Sequence, residues 1–350
     1  MKKIISVALV LGLSASLAAC TSTGPDAGSG GGDVVVVEGY GAEYETLFRE
    51  NIAKPFTKET GIKVEYRGGG SGAETYAAVR AANGDPGFDL GIMTHLELEQ
   101  GHQDNLLARV TEKQVPNLAN VPQKLKEHTN GVGAIQEVQQ VCLMYNRDDF
   151  PKPPTSWDVM WNPKYRQGTL IFSPSNALGV YSLLTLADMG GGSSNNMGPA
   201  FKRTEEMAKY ALATPTSSSE AVPFMAKETA TTFPYFDGRA AIYAKTNNYD
   251  FTVPKEGTYA NLGALGVPDG ADHKGNAFKL IDYWLSKEVQ ERWALAYNVG
   301  PAITSLTFPA AFAAKHVTTP EQLDKIKIAD ASTVNDNRNE WQQQWQEAVR

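Results

Sequence analysis

A two-lobed α/β protein is what this sequence predicts, on three observations. The body from Cys20 to Arg350 is longer than a single hydrophobic core usually grows. Strand, loop and helix patterns repeat through its first third, which argues for parallel strands with helical crossovers. The apolar run Val141-Cys142-Leu143-Met144-Tyr145 then gives way to Pro151, Pro153 and Pro154, each of which fixes φ and removes a backbone donor. A passage between lobes fits that change, and so does a buried strand followed by a surface loop.

The chain opens with Lys2 and Lys3, an apolar run from Ile4 to Leu17, and Leu17-Ala18-Ala19-Cys20. A basic start, a stretch too short to span a bilayer and small residues before a cysteine read as a cleaved export signal over residues 1–19. The last four resemble a bacterial lipobox, which implies lipidation of Cys20 and a membrane anchor made of acyl chains. Residues 20–32 are Gly- and Ser-rich and read as a flexible linker. At roughly 5 to 6 Å times the square root of its length, it spans on the order of 20 Å.

Lys and Arg number 32 against 39 Asp and Glu, a formal charge of −7 that becomes −9 once Lys2 and Lys3 leave with the signal. Nucleic acid is therefore not an expected partner. With Cys20 acylated, Cys142 has no partner and is expected in the core, so no disulfide is predicted.

Within the body, Val34 to Val37 suits a strand buried on both faces. Tyr44, Leu47, Phe48 and Ile52 follow at helical spacing, Pro55 restarts or kinks that helix, and Gly61 ends it. Ile62 to Tyr66 and Phe88 to Met93 are the next strands. Ligands gather at the carboxyl ends of parallel strands, which makes Tyr40, Gly41, Gly70, Ser71, Thr94 and His95 candidates. Gly68 to Gly72 lets a ligand approach a helix N-terminus, or is a plain turn; His95 also reads as a surface or capping histidine. Farther on, Thr169 to Phe172 reads as a strand, Leu178 to Met189 and Pro199 to Ala211 as helices, and Thr216 to Glu220 as a hydroxyl-rich helix start. Ser173, Ser175, Asn176, Ser217 and Ser218 are therefore caps or ligand donors. Asp237-Gly238, between Phe233–Tyr235 and Arg239–Tyr243, is open to a hairpin-turn reading. Ala277, Leu280, Ile281 and Trp284 give a helix face, and Trp341 and Trp345 another.

Several motifs in order carry a resemblance: Pro55-Phe56-Thr57-Lys58-Glu59-Thr60-Gly61-Ile62-Lys63-Val64, Phe88-Asp89-Leu90, and Tyr145-Asn146 with Pro154-Thr155-Ser156-Trp157 and Asn162-Pro163-Lys164-Tyr165. Val253-Pro254-Lys255-Glu256-Gly257 and Asn337-Arg338 with Trp341 and Trp345 complete the set. Through them, Asp33 to Arg350 resembles the extracellular solute-binding proteins of ABC importers, particularly the branch with the spermidine/putrescine-binding proteins. The resemblance implies a type II periplasmic-binding fold: two α/β lobes joined by two crossing strands, with a ligand cleft between them. Lobe 1 would hold 33–140 and 262–350, and lobe 2 would hold 141–261. Val141 to Tyr145 would be the first crossing, with Leu262 to Val267 on or just past the second.

It also implies a cleft aromatic at Phe236, Asp237 near a ligand cation, and Tyr259 and Asn261 at the cleft edge. The expected partners are a small solute, permease subunits and the membrane through Cys20, with a monomeric chain and no cofactor or metal. Matched to the polyamine-binding pattern, the expected carboxylates fall on Ser175, Leu178 and near Gly263, and an aromatic falls on Asn261. An extended polyamine thus fits less well than a zwitterion, phosphonate or organic acid. Asn247-Asn248-Tyr249-Asp250 resembles the neighbourhood of the tyrosine pair in ferric-iron-binding relatives, with Asp250 in place of the second tyrosine. A ligand sensor for a membrane receptor would use the same fold. No nucleophile–base pair, metal spacing or cofactor loop argues for an enzyme.

Overall fold

The computed structural model describes residues Val34–Arg350. The signal segment, Cys20 and the linker lie outside the described residues.

Strand β1 (Val34–Gly39) pairs in parallel with β2 (Lys63–Gly68) and β3 (Leu90–Thr94). Only Val35 and Val37 are fully buried; Val34 and Val36 remain partly open, so the four-valine run alternates instead of being covered on both faces. Between β1 and β2 lie α1 (Glu43–Phe48), a π turn (Arg49–Ala53) and α2 (Lys54–Thr60). Pro55 has no N–H to donate to the Asn51 carbonyl four residues back, and the wider π turn absorbs the defect. The Asn51 carbonyl is taken instead by Arg292 Nε at 2.9 Å. Gly61, at φ 76°, closes α2 by donating to the Thr57 carbonyl, in the left-handed conformation glycine tolerates. Capping boxes start the next two helices, Ser71 with Glu74 for α3 (Gly72–Ala81) and Thr94 with Glu97 for α4 (His95–Asp104).

The strand expected at Val141–Tyr145 is the second half of a longer one. β4 (Gly133–Asn146) is buried throughout its fourteen residues. Gly133–Gln140 runs antiparallel to β7 (Tyr259–Gly266), while Val141–Asn146 pairs with β5 (Thr232–Phe236) and β6 (Tyr249–Thr252). β7 also lies antiparallel to β3, giving the order β2-β1-β3-β7-β4-β5. One continuous strand thus belongs to two sheets.

After the prolines no helix or strand forms until a 3₁₀ turn at Trp157–Trp161. There the two motifs of the second half meet: Ser156 Oγ donates to Glu256 at 2.6 Å and Trp157 Nε1 to the Gly257 carbonyl at 3.1 Å. Thr169 to Phe172 forms only isolated bridges, to Thr232 and Ala213, instead of a full strand. Helix α5 (Ala177–Met189) follows, then α6 (Gly198–Ala208), which stops short of the expected Ala211. At Thr216–Glu220 the chain makes a 3₁₀ turn (Ser218–Ala221), because the Glu220 carboxylate ties back to the Thr216 N–H and hydroxyl. The hairpin reading of Asp237-Gly238 is overturned: α7 (Asp237–Thr246) begins directly from β5. The remaining helices of note are α8 (Lys274–Trp284), α9 (Lys287–Tyr297) and α10 (Ala331–Ala348). The expected α8 face is fully buried.

Buried apolar side chains form two clusters. One runs from Val35 to Val138 and resumes from Ala260 to Ile326. The other holds Leu96, Val141 to Phe251, and Ala329 to Trp345. Trp341 and Trp345 therefore pack against the second core, although 262–350 was expected with the first. Cys142 is free and buried in the second core, where desolvation pushes its thiol well above the ordinary range. Together these features make the α/β arrangement of two cores joined by crossing strands. No helix among the described residues is long and apolar enough to cross a membrane.

Candidate ligand cleft

The first wall is built from strand ends, where backbone turns leave room for side chains to converge. The Tyr40 carbonyl accepts from Tyr66 Oη at 2.6 Å, which fixes the turn after β1. Gly41 lies against Gly69, and a Cβ there would come 3.2 Å from the Gly69 nitrogen. At Gly72 a Cβ would sit 3.0 Å from Met93 Cα, 3.1 Å from Glu97 Oε2 and 3.3 Å from Tyr40 Oη. The start of α3, the Tyr40 hydroxyl and the Glu97 carboxylate therefore meet at one point, beside half-buried Gly70. Ser71 spends its hydroxyl and its N–H on Glu74. Thr94 donates its N–H (2.9 Å) and hydroxyl (2.6 Å) to Glu97 Oε2. Burial pushes the Glu97 carboxyl upward, and the Thr94 donors oppose it.

His95 is placed differently. It is fully buried, stacked 6.5 Å from Tyr181 and edge-on to His128 at 5.8 Å. Its nitrogens lie beside the Leu262 and Ala329 carbonyls without reaching hydrogen-bond geometry, and burial lowers it to about 3. It is a packed, neutral ring beneath the wall.

On the second wall Ser173 is buried; its hydroxyl donates to Gln342 at 3.1 Å and accepts from the Ser175 N–H. Exposed Ser175 offers its carbonyl to Arg338 Nη2 at 2.9 Å. Asn176 caps α5 through the Gly179 N–H and also binds the Ser173 and Thr216 carbonyls. Ser217 precedes the 3₁₀ turn without capping it, and the Ser218 carbonyl accepts from Tyr235 Oη. The Phe236 ring packs 6.4 Å from Tyr181, whose hydroxyl donates to Asn261 on β7 at 3.3 Å.

Asp237 lies within electrostatic reach of Glu137, but its hydrogen bonds go elsewhere, and Tyr259 bonds away from this group. The Asp237 carboxylate is fully buried: Oδ1 accepts from the Gln140 and Gly238 N–H groups, and Oδ2 pairs with His316 Nδ1 at 2.9 Å. Its acceptors face Gln140 on β4, the start of α7 and His316. Tyr259 donates to Asp188, at the far end of α5 from the Asn176 cap, with Lys327 over its ring.

Several residues that the sequence reading passed over stand at the centre. Glu137, on β4 at a register irregularity, is buried and accepts from Trp293 Nε1 at 2.7 Å and Gln139 Nε2 at 2.6 Å; desolvation pushes it up to about 7. Tyr44 contacts Tyr40, Trp293 and Tyr297 edge to face. Arg239, in the first turn of α7, stands beside the Tyr235 and Tyr297 hydroxyls. Arg338 faces Tyr181 and Glu97 from α10. Two signals were available: Thr94 and Glu97 have capping-box spacing, and Arg338 lies in the last-helix motif. Chemically, the group can offer aromatic faces, guanidinium donors and buried carboxyls to a small polar molecule. Among the described residues no group of three His, Cys, Asp or Glu is placed to hold a metal ion. In the candidate iron neighbourhood Tyr249 donates to the Ala230 carbonyl and Asp250 pairs with Lys315.

The family model described as bacterial extracellular solute-binding protein matches residues 51–319. A spermidine/putrescine-binding periplasmic protein of Salmonella typhimurium is 26% identical over 302 residues, spanning 83% of this chain and 82% of the relative. An ABC transporter substrate-binding protein from Bradyrhizobium japonicum superposes with a TM-score of 0.76 at 18% identity, over 91% of this chain and 99% of that one. The binding protein AgtB of Agrobacterium tumefaciens, solved in complex with agropinic acid, superposes at 0.71 with 21% identity, over 90% and 98%. These structures share the fold, and the family match spans most of the chain: this protein belongs to the bacterial extracellular solute-binding proteins.

Proposed function

We propose that the chain is the solute-binding component of an ABC importer: it captures a small polar solute between its two cores and delivers it to permease subunits. The observation that carries this reading is that Glu97, grouped with Tyr40 at the first wall, lies within electrostatic reach of Tyr181, which packs on Phe236 and donates to Asn261 on the crossing strand β7. Such a site is complete only when both cores contribute, so binding favours the closed arrangement. Amines, zwitterions, phosphonates and organic acids are the solute classes suited to these side chains. Export and anchoring through Cys20 belong to the same reading, as does a monomeric chain.

Small-angle scattering tests it. The soluble body from Asp33 is measured alone and with millimolar putrescine, spermidine, 2-aminoethylphosphonate or succinate. One of these is expected to reduce the radius of gyration; unchanged dimensions beside calorimetrically saturated binding refute closure. Cys20→Ala is expected to move the chain from the membrane fraction to the soluble one.

A further inference from the structure

We infer that the captured solute carries an anionic head, a carboxylate or phosphonate, held by Arg239 and Arg338; this rests on the solute-binding reading and narrows it. Four ionisable side chains act electrostatically on three tyrosine hydroxyls: Glu97 and Glu137 on Tyr40, Glu97 and Arg338 on Tyr181, and Glu137 and Arg239 on Tyr297. Their hydrogen-bonding commitments differ.

Each carboxyl accepts hydrogen bonds from neutral donors of the protein. Both are buried, with Glu137 taken by Trp293 and Gln139 and Glu97 by the backbone and hydroxyl of Thr94. Asp237, the acid that would have met a ligand ammonium, is closed off by His316. The guanidinium groups are not spent. Arg338 gives one N–H to the Ser175 carbonyl, and Arg239 stands beside tyrosine hydroxyls. Neither has a carboxylate within ion-pairing distance among the described residues, although both are only partly open to solvent. Glu97 is within electrostatic reach of Arg338 without pairing with it. The Tyr44 hydroxyl, buried against Tyr40 and Tyr297, also has no hydrogen-bond partner among the described residues.

A guanidinium has five N–H groups and no acceptor, and holding it out of water without an anion is unfavourable. A carboxylate or phosphonate supplies two or three acceptor oxygens in the planar geometry that the fork of an arginine matches. Tyr40, Tyr181 and Phe236 then flank the rest of the molecule. A diamine with no acid group offers no acceptor oxygen and would leave the remaining N–H groups of both guanidiniums without an anionic partner.

The test is isothermal calorimetry on the soluble body with succinate, 4-aminobutyrate, 2-aminoethylphosphonate, putrescine and spermidine. At least one of the first three is expected to bind. Arg239→Gln and Arg338→Gln should each weaken it tenfold or more, and Arg239→Lys should recover part of the loss. Thermal melts confirm that the variants fold. Binding by putrescine or spermidine alone overturns the anionic assignment while leaving the solute-binding reading intact, as does an acid whose affinity ignores both substitutions. Absence of binding by all five overturns the assignment too, and the importer reading then stands or falls on uptake by cells lacking the gene.

Discussion

Replacing His95 by Leu isolates the energetic consequence of burying an imidazole without a proton. The folded ring titrates at about 3 against an ordinary 6.5, chiefly through desolvation, with His128 adding to the effect. Its folded value lies below its unfolded one, so between those limits the unfolded chain binds a proton that the native chain refuses. Stability therefore falls as pH drops below 6.5 and stops falling near 3. Each unit costs about 1.4 kcal/mol, hence roughly 2 kcal/mol between pH 6.5 and 5 and about 5 kcal/mol over the whole window. Other groups titrate in the same range, so the quantity to measure is the difference between parent and His95→Leu. Urea unfolding at pH 7.5, 6 and 5 gives it, with the value at pH 7.5 absorbing any packing change. The parent should lose about 2 kcal/mol relative to the variant by pH 5. Parallel stability–pH curves would refute the argument, because they would mean that the ring accepts a proton inside the fold.

Glu137 supplies the opposite slope: its carboxyl is pushed up to about 7 from 4.5, so its contribution is lost as pH rises through that interval. Glu137→Gln should therefore gain about 3 kcal/mol relative to the parent between pH 4.5 and 7.5 in the same unfolding assay, with a constant offset from the altered contacts to Trp293 and Gln139. Arg292→Ala leaves the Asn51 carbonyl beside Pro55 without its donor and should cost about 1 to 3 kcal/mol, read as a lower urea midpoint. Trp341→Ala empties a buried site between α10 and the second core and should cost about 3 to 5 kcal/mol. Hydrogen exchange over 331–348 should then speed up more than in β1 to β3.

The strand ends of the first core were legible because β-branched runs, glycines and capping boxes are local signals. β4 was legible only in part. Gln136, Glu137, Gln139 and Gln140 make its first half polar, which argues against a buried strand, yet partners distant in sequence satisfy several of them: Trp293 for Glu137, and the Lys315 carbonyl for Gln140. Asp237 failed for a related reason. An aspartate before glycine looks like a turn, while here it opens α7 and its carboxylate is held by His316, 79 residues away. Arg239 carried no local mark at all, since an unpaired guanidinium is defined by the carboxylates that are missing around it.

The alternation of the chain between the two cores has a mechanical consequence. It passes from one to the other within β4 at Gln140–Val141, again between Phe251 and Ala260, and a third time between Ile326 and Ala329. At that level Gln140 pairs with Ala260, and Ala260 with Ile328 in a short strand β8 (Lys327–Ile328), so the three passages lie side by side. Strands spaced about 4.8 Å apart make a ribbon roughly 10 Å wide. A ribbon bends readily across its width and resists shear within its plane. On the proposed function, such a ribbon would limit the cores to opening and shutting like the covers of a book and would return Tyr40 and Tyr181 to the same register at each closure.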